Sequence, residues 1–149
     1  MIKAKVLIVD DNKNILKALE ILLQFEFEKI ETISNPNQIS SYPDLDQFDL
    51  ILLDMNFSAG INTGNEGLFW LKKIKQKASD ASIIMMTAYG AVELAVEALK
   101  SGAADFVLKP WNNEKLIATL KSAYQLKKSK AEVSELRQKE NQLKQMISQ

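Results

Sequence analysis

Neither cysteine nor histidine occurs in the 149 residues of this chain. The first absence excludes a disulfide framework, a thiolate zinc site and a cysteine nucleophile. The second excludes a Ser-His-Asp triad and an imidazole metal site. Any metal must therefore sit on oxygen ligands, which points to a hard cation such as Mg²⁺ or Mn²⁺. Net charge is also lacking: 19 Lys+Arg balance 19 Asp+Glu. This argues against the broad basic footprint of a nucleic-acid-binding chain. No apolar run approaches the ~20 residues of a membrane span. Met1-Ile2-Lys3-Ala4-Lys5 leads straight into a strand-like segment without a signal-peptide layout. These features predict a soluble, cytoplasmic protein. With 46% hydrophobic residues the chain has enough apolar matter for a core.

Short apolar runs punctuate the chain and end in polar residues. Val6-Leu7-Ile8-Val9 ends at Asp10-Asp11, Leu50-Ile51-Leu52-Leu53 at Asp54, and Ile83-Ile84-Met85-Met86 at Thr87. Phe106-Val107-Leu108 ends at Lys109-Pro110, and a weaker run, Ile30 to Ile33, ends at Ser-Asn-Pro. Continuous apolar runs of this length suit strands covered on both faces, as in a parallel sheet. Between them, residues 12–26 place Ile15, Leu19, Leu22 and Leu23 on one helical side, and residues 66–76 do so with Leu68, Leu71 and Ile74. Residues 91–101 form an Ala-rich helix that stops at Gly102. Residues 36–42 have room only for a short helix. The alternation predicts an α/β fold: a doubly wound, five-stranded parallel sheet of (βα)5 type with right-handed crossovers.

From Glu114 the chain becomes one extended C-terminal helix, first held to the core by Leu116, Leu120 and Tyr124. The expected division is a domain over 1–126 and a helical linker over 127–149. From Lys127 on there is no Gly or Pro, and the charge is six basic against three acidic residues. Leu126, Val133, Glu140 and Ile147 recur every seven residues, with Ser129, Leu136 and Leu143 between them. This is a heptad seam with two polar defects, Ser129 and Glu140. A single solvated helix is the alternative.

Ligands gather at the carboxyl ends of the strands in such a sheet. Here those ends carry Asp10, Asp11, Asp54, Thr87 and Lys109. Two carboxylates ~4 Å apart repel by about 4 kcal/mol at an effective dielectric of ~20. A divalent cation relieves that repulsion. Taken singly, each residue has a plainer reading. Asp11 or Asn12 can cap the first helix, Asp54 can open a turn, Thr87 can pack, and Lys109 can be a surface lysine. The coincidence at four strand ends favours one shared site.

In these motifs the sequence resembles the receiver domain of two-component response regulators. The carriers are residues 6–11, Leu52-Leu53-Asp54-Met55, Met86-Thr87-Ala88-Tyr89-Gly90 and residues 102–110. The resemblance implies a flavodoxin-like fold and phosphoryl acceptance by Asp54 from a sensor histidine kinase or phosphotransfer protein. It makes Asp10, Asp11, Asp54 and the Asn56 backbone carbonyl the Mg²⁺ site, with Asp10 acting mainly through water. It has Lys109 pair with Asp54 and then with the phosphoryl group, which Thr87 also binds. Ala88 leaves room for Thr87 to move, and Phe106, otherwise a core aromatic, becomes the switch residue. Asn56 and Tyr89 tune dephosphorylation, and the peptide before Pro110 is cis.

Residues 57–67 are longer than the usual loop after the acceptor and hold Gly60, Gly64 and Gly67. They are either a lid or recognition loop or a tolerated insertion. Residues 88–96 and the long helix resemble receivers of nitrogen-regulator-type activators that use sigma-54. There an ATPase follows, so the chain is expected to be a fragment. Dimerisation is expected through the 91–101 helix, using Val92, Ala95, Val96 and Leu99, the last strand and the C-terminal helix. Direct nucleic-acid or membrane binding is not expected. A stand-alone phosphorelay intermediate and a haloacid-dehalogenase-like phosphatase are the alternatives. The phosphatase wants an Asp where Asn56 stands.

Overall fold

The computed structural model describes residues 1–55, 65–88 and 92–147. Five parallel strands form one sheet: β1 (Ile2–Val9), β2 (Phe27–Ile33), β3 (Leu50–Asp54), β4 (Ser82–Ala88) and β5 (Asp105–Lys109). Their spatial order is β2-β1-β3-β4-β5. The order reverses direction beside β1, which creates the crevice where doubly wound folds collect ligands. Four α-helices accompany them: α1 (Lys13–Leu23), α2 (Asn65–Lys77), α3 (Val92–Lys100) and α4 (Asn113–Ile147). The expected short helix after β2 is present as a 3-10 helix at Pro36–Ser41, and a second 3-10 turn follows at Leu45–Gln47. Pro36 at its start and Asn35 capping Asn37 N–H favour a tight first turn, and only six residues are available to extend it.

The apolar strand runs feed two cores, one on each sheet face. Val6, Ile8, Leu50, Leu52, Ile84 and Met86 pack on α1 and α4. Leu7, Val9, Ile51, Leu53, Ile83 and Met85 pack on the 3-10 turns, α2 and α3. Alternation along each strand sends successive side chains to opposite faces, so every residue of a fully covered strand can be apolar. All five residues of β3 are buried. Leu16, Leu19 and Leu23 are the buried residues of α1, whereas Ile15 and Leu22 are only partly buried. All four expected residues thus pack on this core, Ile15 and Leu22 at its edge, and Leu16 joins them. On α2, Leu68, Leu71 and Ile74 are buried as expected, with Trp70 beside them.

Helix ends follow their local chemistry. Asn12, with extended backbone, caps α1 by accepting from Asn14 and Ile15 N–H at 2.9 and 3.2 Å. Asp11 is therefore not needed as the cap. Gly102 closes α3 at φ 111°, while Ala103 N–H donates to Ala98 O at 3.0 Å. A side chain at that φ is strained, so glycine suits the position. Helix α4 packs through Leu116, Leu120 and Ala123. Its last half-buried residue is Lys127, whose ammonium lies 3.0 Å from Asp49 at the foot of β3. From 128 to 147 it is exposed throughout.

Candidate acidic site at the strand ends

Strand register brings the predicted residues to one edge. Val9 pairs with Leu53, so Asp10 and Asp54 leave adjacent strands side by side. Asp54 pairs with Met86, one residue before Thr87, and Ala88 pairs with Lys109. Asp10 is fully buried, Asp54 is 4% exposed, and Asp11 projects to solvent.

Lys109 Nζ bridges two of the carboxylates. It lies 2.8 Å from Asp10 Oδ2 and 3.1 Å from Asp54 Oδ1. The expected Asp54 contact is present, and the shorter one to Asp10 adds to it. Asp10 Oδ1 also accepts from Asn12 N–H at 2.9 Å, which ties the site to the start of α1. The sequence signal for this bond was the Asp-x-Asn spacing, which permits a turn from side chain to backbone two residues on.

Carboxylate oxygens of Asp10, Asp11 and Asp54 lie within 4.8 Å of one another. Three hard oxygen donors and one ammonium leave an excess of negative charge, a donor set suited to Mg²⁺. The electrostatics agree. Partial desolvation and then the neighbouring Asp10 charge push the Asp11 carboxyl above its ordinary pKa. Burial, the largest influence on Lys109, pulls its pKa down. The hydrogen bond to Asp10 and the charges of Asp54 and Asp10 together outweigh it, and the net shift is upward. Lys109 is therefore a fixed cation at neutral pH.

Thr87 is fully buried, and its Oγ1 has no hydrogen-bond partner among the described residues. A buried hydroxyl left unpaired costs about 1–3 kcal/mol. Met85 and Phe106 are paired and both pack on the α2/α3 side. By strand alternation, Thr87 points to that same side. Phe106 is only half-buried there, so it is not a closed core aromatic. Ala88 is exposed. The Lys109-Pro110 peptide is cis, as expected. Asn56 and Tyr89 lie outside the described residues, as does the 57–67 segment up to residue 64. Of the expected dimer residues on α3, Val92, Val96 and Leu99 are exposed, but Ala95 is fully buried and is withdrawn from that surface. A helix that covers a sheet must give its small side chains to the close approach.

Gly67 has a role that its loop-like neighbours obscured. Its N–H donates to Met55 O at 3.1 Å, and an added Cβ would stand 2.5 Å from Met55 Cα. Glycine in a helical first turn is a propensity cost, and that cost was the signal for close backbone approach. Gly67→Ala is expected to destabilise by about 1–3 kcal/mol, because backbone rather than a flexible side chain must yield. Urea unfolding of the two proteins checks this, and equal midpoints would contradict it.

Comparison with known proteins agrees with this geometry. Residues 6–121 match the response regulator receiver domain family. Response regulator protein PilR of Pseudomonas aeruginosa is 33% identical over 89% of this chain and 28% of its own length. A putative NtrX-like response regulator of Rickettsia bellii is 31% identical over 90% of the chain and 27% of its length. The chain thus spans less than a third of these relatives. Among solved structures, the N-terminal signal receiver domain of a Bacteroides fragilis response regulator shares 44% identity. It superposes with TM-score 0.72 over 82% of this chain and 97% of that one. NtrX from Brucella abortus has TM-score 0.80 at 28% identity, over 91% of this chain and 30% of its own.

Proposed function

This chain belongs to the response regulator receiver domain family, and from that premise we propose that Asp54 accepts a phosphoryl group from a phosphohistidine on a sensor kinase or phosphotransfer protein. The observation that carries the proposal is Lys109 held 2.8 Å from Asp10 and 3.1 Å from Asp54, on the edge where Thr87 keeps an unpartnered hydroxyl. An Asp54 oxygen attacks phosphorus, an acyl phosphate forms, and the P–N bond to the donor imidazole breaks. The chain contains no histidine, so this imidazole belongs to another protein.

Lys109 then exchanges carboxylate contacts for phosphoryl oxygens, and Thr87 donates its hydroxyl to them. Both supply fixed charge or dipole where negative charge gathers, the main demand of phosphoryl transfer. Asp10, Asp11 and Asp54 would hold Mg²⁺, joined by the Asn56 carbonyl, and the cation would neutralise charge on the transferring group. Asn56 and Tyr89 adjust the lifetime of the acyl phosphate. Thr87 moving toward the phosphoryl group vacates space on the side that Phe106 shares, and Phe106 reports the change. The chain turns over no separate substrate.

The output reading is a sigma-54-type transcriptional activator in a longer cytoplasmic protein, with the receiver over 1–126 and a linker from 127. Its support is similarity to relatives more than three times the matched length, NtrX-like and PilR among them. A homodimer through α3, β5 and α4 fits the exposed apolar residues of both helices. The alternative is a stand-alone relay intermediate. With acetyl phosphate as donor, labelling is expected to require Mg²⁺ and to stop when a chelator is added. Undiminished labelling in the chelator would contradict the carboxylate metal site.

A further inference from the structure

Two hydrogen bonds fix the residue that follows Asp54. Met55 N–H donates to Met86 O at 2.9 Å, and Met55 O accepts from Gly67 N–H at 3.1 Å. The Met55 side chain is fully buried. The first bond carries the β3–β4 pairing one residue past Asp54. The second comes from α2. The first four N–H groups of a helix have no partner within it, and Gly67, the third residue of α2, gives its own to Met55. The start of α2 is thus docked on backbone one residue away from Asp54.

Only glycine permits so close an approach. A Cβ at position 67 would stand 2.5 Å from Met55 Cα, 2.7 Å from Met55 O and 3.0 Å from Met55 C. All three are backbone atoms, so no side chain can rotate out of the way. Several tenths of an ångström must open between α2 and the end of β3. Leu68, Leu71 and Ile74 of α2 share one core with Met55, so both sides take part of the displacement. The part taken by Met55 reaches Asp54 through a single peptide bond. Asp54 is one of three carboxylates whose oxygens lie within 4.8 Å of one another. Mg²⁺ demands near-ideal octahedral geometry at ~2.0–2.1 Å, whereas Ca²⁺ accepts adaptable geometry at ~2.3–2.6 Å. A small displacement at this cluster therefore penalises the smaller ion more.

We infer that Gly67 is a positioning residue for the acidic cluster: by letting α2 lie against Met55, it holds the Asp54 end of β3 in the geometry that favours Mg²⁺ over a larger divalent cation. The inference rests on the metal site of the receiver reading and adds to it a residue that touches no metal.

A second glycine supplies the control. Gly102, at φ 111°, precedes β5 at the opposite end of the sheet, and a Cβ there meets only the flexible Lys75 side chain, at 3.0 Å. Both alanine variants are expected to lower the urea midpoint of the metal-free chain. Metal affinity is read from the further rise of each midpoint with MgCl₂ or CaCl₂ at constant ionic strength, since a ligand of the folded state stabilises by mass action. Gly67→Ala is expected to weaken Mg²⁺ binding about tenfold, the lower end for groups that orient metal ligands. Its Ca²⁺ binding is expected to weaken no more than about threefold, because that ion adapts. Gly102→Ala should keep both affinities. An unchanged Mg²⁺-to-Ca²⁺ ratio in Gly67→Ala, or an equal change in Gly102→Ala, would overturn the inference while leaving the receiver reading intact. A natural chain that Mg²⁺ does not stabilise would overturn the metal site, and the inference with it. Should Gly67→Ala not fold, hydrogen exchange in the natural chain decides. Mg²⁺ is expected to slow exchange of the Gly67 amide and leave that of Gly102 unmoved, and an unmoved Gly67 amide means that the docked helix does not serve the metal.

Discussion

Replacing Lys109 with methionine is expected to destabilise the metal-free protein by about 3 kcal/mol, the lower end of the cost of breaking a buried ion pair. The lower end applies because the lysine side chain retains 23% exposure while Asp10 has none. The cost arises less from the lost attraction than from what remains. Asp10 keeps the Asn12 N–H, but its second oxygen and the nearby Asp54 oxygen face one another without the shared ammonium. Methionine preserves most of the apolar stem, so packing changes little. Added Mg²⁺ is expected to restore more stability to Lys109→Met than to the natural chain, because the cation takes over charge compensation. Adding Asp10→Asn to the variant is also expected to recover stability, and a double-mutant cycle isolates that coupling. Unfolding by urea with and without Mg²⁺ measures all of these. A loss below about 0.5 kcal/mol, the range of an exposed ion pair, would mean that Lys109 does not hold the site together.

The parts of this arrangement legible in the sequence are those set by short-range pattern. The strand runs end where the polar residues begin, so Asp10, Asp54, Thr87 and Lys109 could be assigned to one sheet edge before any coordinates. Strand order and register then convert that edge into contacts, and these depend on tertiary pairing. The Asp10–Lys109 bond joins residues 99 positions apart, and no local signal distinguishes it from the Asp54 contact. Leu16 is buried more deeply than Ile15 because the edge of an apolar stripe is resolved only by the surface it meets. Ala95 was legible as part of an apolar helix but not as the side that touches the sheet. Gly67 read as loop chemistry; a glycine in a helical first turn signals some close approach, but that the neighbour is the Met55 backbone emerges only from the fold. The 3-10 helix at Pro36–Ser41 shows the reverse case, where proline and a short span limited the helix from the sequence side.

The most direct test of the central claim is intact-mass analysis after incubation with acetyl phosphate and Mg²⁺, comparing the natural chain with Asp54→Asn. Asparagine keeps the size of the buried side chain and removes the nucleophilic carboxylate, while also lowering the repulsion with Asp10. The variant should therefore fold at least as well. The natural chain is expected to gain one phosphoryl mass and Asp54→Asn none. Equal labelling of the two proteins would contradict Asp54 as the acceptor.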